Sequence, residues 1–178
     1  MDGIAITRLD AADAQAARPA LTRLLADAVA GGASVGFMSW SEPADLARFW
    51  DAVAAEVAAG RTLLFAAHDA GGVMVGTAQL QLIARANQRH RAEVAKVLVH
   101  SAARGQGIGA ALMRTVEAAA APLGRDLLVL DTDEASPARA FYNRLGWHEA
   151  GTIPRYALMP DGRDCGSTFF YKDLRAAG

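Results

Sequence analysis

The succession of hydrophobic patterns predicts an α+β fold, a mixed and mainly antiparallel sheet flanked by helices. Three observations carry this expectation. Two apolar runs joined by Gly71-Gly72 read as a hairpin in the first half of the chain. A strand–helix–strand crossover occupies the middle, from Glu93 to Asp131. Two further strand patterns, Trp147–Tyr156 and Ser167–Leu174, close the chain after the last helix. Hairpins on both sides of one crossover give a sheet that is largely antiparallel, unlike the parallel sheet of a doubly wound fold.

The elements follow in order. Ile4 to Leu9 alternates as a first strand, and helical patterns cover Ala11–Ala30 and Glu42–Ala59. In the second helix Leu46, Phe49, Trp50 and Val53 share one face, and Gly60 is its stop signal. The segment between them, Gly31 to Met38, is too glycine-rich for a regular element and reads as a functional loop. Thr62–Asp69 and Val73–Leu82 form the hairpin, and Arg85, Arg89, His90 and Arg91 make the next connection basic. Glu93–Val99 reads as the central strand, Ile108–Ala121 as a helix, and Asp126–Asp131 as a short strand ending in an acid. Ser136 and Pro137 suit the cap and first turn of a last helix that Gly146 ends.

Composition narrows the function classes. A chain of 178 residues suits one domain, residues 1–178, with an ordinary globular share of 52% hydrophobic residues. A net charge of −1 lacks the basic signature of a nucleic-acid binder. Cys165 is the single cysteine, so neither an internal disulfide nor a cysteine metal cluster is expected. No signal peptide and no apolar run of membrane-spanning length is visible, and a cytoplasmic location without membrane attachment is the expectation.

The most informative stretch is Arg104-Gly105-Gln106-Gly107-Ile108-Gly109, which opens a helix. Glycines let the backbone approach a ligand closely, and a helix N-terminus offers unpaired N–H groups to an anion. A Walker loop would need Lys and Ser or Thr after the last glycine, where Ala110 and Ala111 stand. A dinucleotide fingerprint matches Gly105-x-Gly107-x-x-Ala110, with Asp131 near the ribose-binding position. Against it, Ser101-Ala102-Ala103 lengthens the approach from the strand, and too little chain follows for a second half-sheet.

Val97-Leu98-Val99, then Arg104 to Gly109, resembles the coenzyme A loop of GNAT acetyltransferases. Phe141-Tyr142-Asn143-Arg144-Leu145-Gly146-Trp147 matches that family's second signature, a helix ending in Tyr-x-x-Leu-Gly-aromatic. Gly31 to Met38, Arg91-Ala92-Glu93-Val94, Leu130-Asp131-Thr132 and Pro160-Asp161-Gly162-Arg163 further resemble the tabtoxin-resistance acetyltransferases. The resemblance implies acetyl-CoA as co-substrate, no metal, and as acceptor the primary amine of a small molecule such as an amino-acid-like toxin or antibiotic. A non-catalytic acyl-CoA sensor and an enzyme acting on peptide amines are the alternatives. Dimers are common in the family, so a homodimer is an expectation by resemblance.

Acetyl transfer needs a base for the acceptor ammonium, stabilisation of the thioester oxygen, and a proton for the leaving thiolate. The resemblance places the proton-donating Tyr at Tyr142. Glu93 and Asp131, near ends of the strands beside the coenzyme loop, are the candidate bases. Backbone groups of Val97, Leu98 and Val99 are expected to hold the pantetheine and thioester, and Arg104, Gly105, Gln106, Gly107, Ile108, Gly109 and Ala110 the diphosphate. The family commonly has Asn seven residues before the Tyr; Ala135 stands there, with Ser136 as the available substitute. His100 reads either as a proton relay or as a structural or solvated ring, and Arg85, Arg89, His90 and Arg91 either attract a substrate carboxylate or form a solvated loop. Trp50 reads as core, while Trp40 and Phe37 are candidates for an acceptor pocket.

Overall fold

The computed structural model describes residues 3–177. Seven strands form one sheet in the order β1-β2-β3-β4-β5-β7-β6. Strands β1 (Ala5–Leu9), β2 (Thr62–His68), β3 (Met74–Leu82) and β4 (Arg91–Val99) pair antiparallel in sequence. Strand β5 (Leu127–Asp133) lies parallel to β4, then pairs antiparallel with β7 (Asp164–Asp173), which carries β6 (His148–Leu158) at the edge. The predicted mixed, mainly antiparallel sheet is the observed one.

Helices cover both faces. On one face, α4 (Ile108–Ala120) and α5 (Ala138–Arg144) join a core with Val94, Leu112, Met113, Leu128 and Phe170. On the other, α1 (Ala11–Ala16), α2 (Arg18–Ala30) and α3 (Pro43–Ala58) pack Leu21, Leu25, Trp50 and Val53 onto Leu64, Ala66 and Leu98. Trp50 is 1% exposed, so the helical spacing that marked it as core was sound.

Three element boundaries differ for physical reasons. The first helix is broken at Ala17, because Pro19 in the first turn of α2 has no N–H and its ring excludes a continuous helix. Strand β5 continues to Asp133, so Asp131 lies within the strand, opposite Phe169, and does not end it. The turn into α5 is instead closed by Asp133, whose carboxylate accepts the Ala135 N–H at 2.9 Å. Strand β7 starts at Asp164, three residues before the expected Ser167, because Asp161 and Gly162 confine the connection to a tight turn.

Two irregularities of β4 position the site. Pairing with β5 involves Arg91, Ala92 and Glu93 only, and beyond Glu93 the two strands diverge. On the other side of β4, Thr77 pairs with Leu98 but Gln79 with Ala95, so two steps of β3 face three steps of β4. That extra residue is a bulge, and Lys96 in it has a left-handed φ of +50°. Val94 and Leu98 are four apart, which a regular strand would place on one face. They enter opposite cores, because the bulge reverses the alternation between them.

Candidate active site

The divergence of β4 and β5 opens a cavity of about 980 Å³. Its walls bring together Val97, Leu98, Val99, Arg104, Gly105, Gly107, Ile108, Gly109, Ala110 and Ser136 with Glu93, Asp131 and Tyr142. Of the catalytic and coenzyme-binding residues named from the sequence, only Gln106 is absent from its walls. That side chain, between two glycines with φ of +79°, is turned to solvent.

The glycine loop builds the anion-binding end. Gly107 is the left-handed N-cap of α4 and no side chain caps the helix, so its first N–H groups remain available. A Cβ at Gly109 would stand 3.3 Å from the Phe141 ring and 3.8 Å from Val99, so α4 and α5 approach closely there and a side chain would crowd the Phe141 ring. The loop's entry is pinned from α2, where the Asp27 carboxylate accepts the Ser101 N–H at 2.8 Å and its hydroxyl at 2.6 Å. Burial alone would raise the Asp27 pKa, but the hydrogen bonds from Ser101, and then His100 and Arg104, hold it below the usual value. Arg104 donates to the Val99 carbonyl at 3.2 Å and keeps an exposed guanidinium at the cavity rim. These features fit a diphosphate.

Tyr142 is 7% exposed and packs against the rings of Phe141, Trp147 and Phe170. Burial first, and then the charge of Asp131, push its hydroxyl up to about 12, so it stays protonated at neutral pH. Asp131 is exposed to the cavity, and one carboxylate oxygen accepts a hydrogen bond from Ser167 of β7. Glu93 is half-buried at the last paired position of β4. Ser136 uses its hydroxyl to accept the Ala138 N–H at 3.1 Å, so it serves the start of α5 while lining the cavity.

A roof crosses the cavity. The segment from Ala33 to Met38 lines it, and Ser34 donates to the Leu158 carbonyl at 2.9 Å. Just beyond, the Ser39 N–H bonds the Pro160 carbonyl at 2.9 Å. The glycine-rich segment marked as functional thus bridges from α2 to the β6–β7 turn, bringing Phe37 to the cavity. Trp40, by contrast, is 63% exposed and rests against Gly162.

Some expectations resolve as structural. The His100 ring accepts the Ala102 N–H at 3.2 Å and caps the turn after β4. Arg85, Arg89 and His90 are exposed and do not line the cavity. Conversely, Lys96, Ser167 and Cys165 line it and had not been singled out as site residues. Lys96 left one signal: only it and Lys172 are lysines among the 18 lysines and arginines of the chain. Ser167 left none, since its role follows from pairing across the sheet.

A parallel pair that parts over a cavity, with a glycine loop and helix N-terminus at one end, defines an acyl-coenzyme A-binding fold. Residues 13–147 match the model of the acetyltransferase (GNAT) family, and the chain belongs to that family. The family is one of acetyltransferases, and among the described residues no cluster suited to a metal ion occurs. Among the solved structures it resembles is yncA of Salmonella typhimurium with its cofactor acetyl-CoA, at 20% identity and a TM-score of 0.77, covering 97% of this chain and 95% of that one. A phosphinothricin acetyltransferase of Sinorhizobium meliloti in complex with acetyl-CoA is 21% identical, with a TM-score of 0.77 and coverage of 97% and 89%. A ribosomal-protein-alanine N-acetyltransferase of Brucella melitensis is 23% identical, with a TM-score of 0.79 and coverage of 96% and 99%. At these identities the likeness concerns the fold. No helix among the described residues is long and apolar enough to cross a membrane.

Proposed function

We propose that the chain, as one domain, acetylates the primary amine of a small molecule by direct transfer from acetyl-CoA. The observation that carries this reading is the roof from Ala33 to Met38, tied across to Leu158 and Pro160. It lines the same cavity as Glu93, and its ties to the β6–β7 end favour a bounded pocket over an open peptide groove. Acetyl-CoA supplies the activated thioester. The free N–H groups at the start of α4 and Arg104 bind its diphosphate, and backbone groups of Val97 to Val99, on the stretch of β4 that no longer pairs with β5, hold the arm and thioester oxygen. Glu93 and Asp131 attract the acceptor ammonium and take its proton, directly or through water, and Ser167 orients Asp131. Tyr142, kept protonated by burial, donates to the departing thiolate. Among the described residues no Ser/Cys–His nucleophile arrangement calls for an acyl-enzyme, and Cys165 is hydrogen-bonded to Ser34 at 3.7 Å.

The resemblance to tabtoxin-resistance enzymes and the likeness to a phosphinothricin acetyltransferase favour an amino-acid-like toxin or antibiotic as acceptor. The likeness to a ribosomal-protein-alanine N-acetyltransferase favours a protein amine as the second reading. An acceptor screen following CoA release separates them, using amino acids, polyamines, aminoglycosides, β-lactam toxins and short peptides. Turnover confined to peptides would reverse the choice, and tight acetyl-CoA binding without any turnover would make the chain an acyl-CoA sensor.

A further inference from the structure

We propose that Lys96 is a self-acetylation site, an internal acceptor amine that takes the acetyl group when no external amine occupies the cavity. The proposal rests on the acetyl-transfer reading of the same site.

The chain meets nearly all its needs for positive charge with arginine, so its two lysines stand out. Lys172 is accounted for: its ammonium donates to Glu117 at 2.9 Å and to the Leu145 carbonyl at 2.8 Å. Lys96 joins none of the ion pairs found among the described residues. It lines the cavity immediately before Val97 to Val99, and its Nζ lies 5.2 Å from the centre of the Phe49 ring. Glu93 and Lys96 are three residues apart and would project to opposite faces of a regular strand. The bulge at Lys96 cancels that alternation and puts Lys96 into the lining of the same cavity as Glu93 and Asp131, close enough to feel both their charges. A left-handed φ in a lysine costs about 1–2 kcal/mol. The strand therefore holds Lys96 in this conformation against its own preference.

Lys96 thus has what the reaction asks of an acceptor. It is a primary amine, burial lowers its affinity for the proton despite the neighbouring Asp131 and Glu93 charges, and those carboxylates stand ready to receive that proton. An arginine at this position would offer no free amine, because its guanidinium stays protonated. In the step, Lys96 loses a proton to Glu93 or Asp131, and its nitrogen lone pair attacks the acetyl carbonyl. The C–N bond forms and the C–S bond breaks, with the thiolate taking a proton from Tyr142. The balance is one Lys96 ammonium and one acetyl-CoA giving Nε-acetyl-Lys96, CoA and one proton. Acetylation erases the cation beside Glu93 and Asp131, so it also changes the charge that an external amine meets.

The test is to incubate the full chain with acetyl-CoA and no acceptor, then follow intact mass and map the modified peptide. The expected result is one acetyl group on the peptide carrying Lys96, formed about 10²-fold more slowly in Glu93→Gln. It should be suppressed by excess CoA and absent in Lys96→Arg and Lys96→Met. An increment only on Lys172 or the N-terminus, or a rate indifferent to Glu93→Gln and to CoA, would overturn the proposal. Acetylation of external amines with Lys96 never modified would sink this inference alone. Absence of transfer to anything, with acetyl-CoA binding shown by calorimetry, would sink the functional reading as well.

Discussion

Replacing Tyr142 by Phe deletes one hydroxyl and keeps a ring packed against Phe141, Trp147 and Phe170 at centroid distances of 5.2, 6.2 and 5.7 Å. The variant should therefore fold, and two separate consequences follow. The first is thermodynamic. Tyr142 holds its proton up to about 12 in the folded chain, against 10.0 as the ordinary value. Two units at about 1.4 kcal/mol each correspond to about 2–3 kcal/mol. Because the folded pKa is the higher one, this contribution is complete below pH 10 and is lost as pH rises toward 12. Urea denaturation of wild type and Tyr142→Phe at pH 7 and pH 11 isolates it. The wild type should lose about 1.4 kcal/mol more than the variant over that interval. The second consequence is catalytic. Without the proton donor, CoA release at neutral pH should slow by about 10²-fold, with the acetyl-CoA dissociation constant nearly unchanged. Equal alkaline losses in the two proteins would contradict the buried hydroxyl, and unchanged CoA release would remove Tyr142 from the reaction.

Two further predictions concern the coenzyme loop. Asp27→Asn removes the charge behind both Ser101 hydrogen bonds and should cost about 1–2 kcal/mol, with a raised KM for acetyl-CoA in steady-state assays. The Asp27 pKa is lowered in the folded chain, so its stabilisation is present above about pH 4 and fades as pH falls below that. Acid denaturation of the variant should lack that component. Gly107→Ala forces a Cβ into a φ of +79° at the N-cap of α4. It should cost about 1 kcal/mol in chemical denaturation and weaken acetyl-CoA binding by calorimetry more than it lowers turnover at saturation.

Much of the site was legible in the chain because it depends on local chemistry. A glycine loop that opens a helix must be written as glycines followed by a helical pattern, and Gly105, Gly107 and Gly109 are. The helix that carries Tyr142 and the strand that carries Glu93 show their own periodicity. The break at Pro19 was equally local, yet a continuous apolar pattern on both sides concealed it. What sequence reasoning did not reach depends on strands far apart in the chain. It missed Asp131 inside a longer β5, held by Ser167, because that length is set by pairing with β7. It missed Lys96 because period-two alternation assigns residues to faces only while a strand stays in register.

By itself, then, the sequence determined the order of elements and the glycine loop that opens α4, and it named Glu93, Asp131 and Tyr142 as the candidates for proton transfer. Only the tertiary structure decided that Lys96 joins Glu93 and Asp131 in one cavity, and that the Ala33 to Met38 segment lines the same cavity while reaching across to β6. The reason is physical. A bulge exists only relative to a neighbouring strand, and a roof only relative to the carbonyls it reaches, Leu158 and Pro160, more than a hundred residues away.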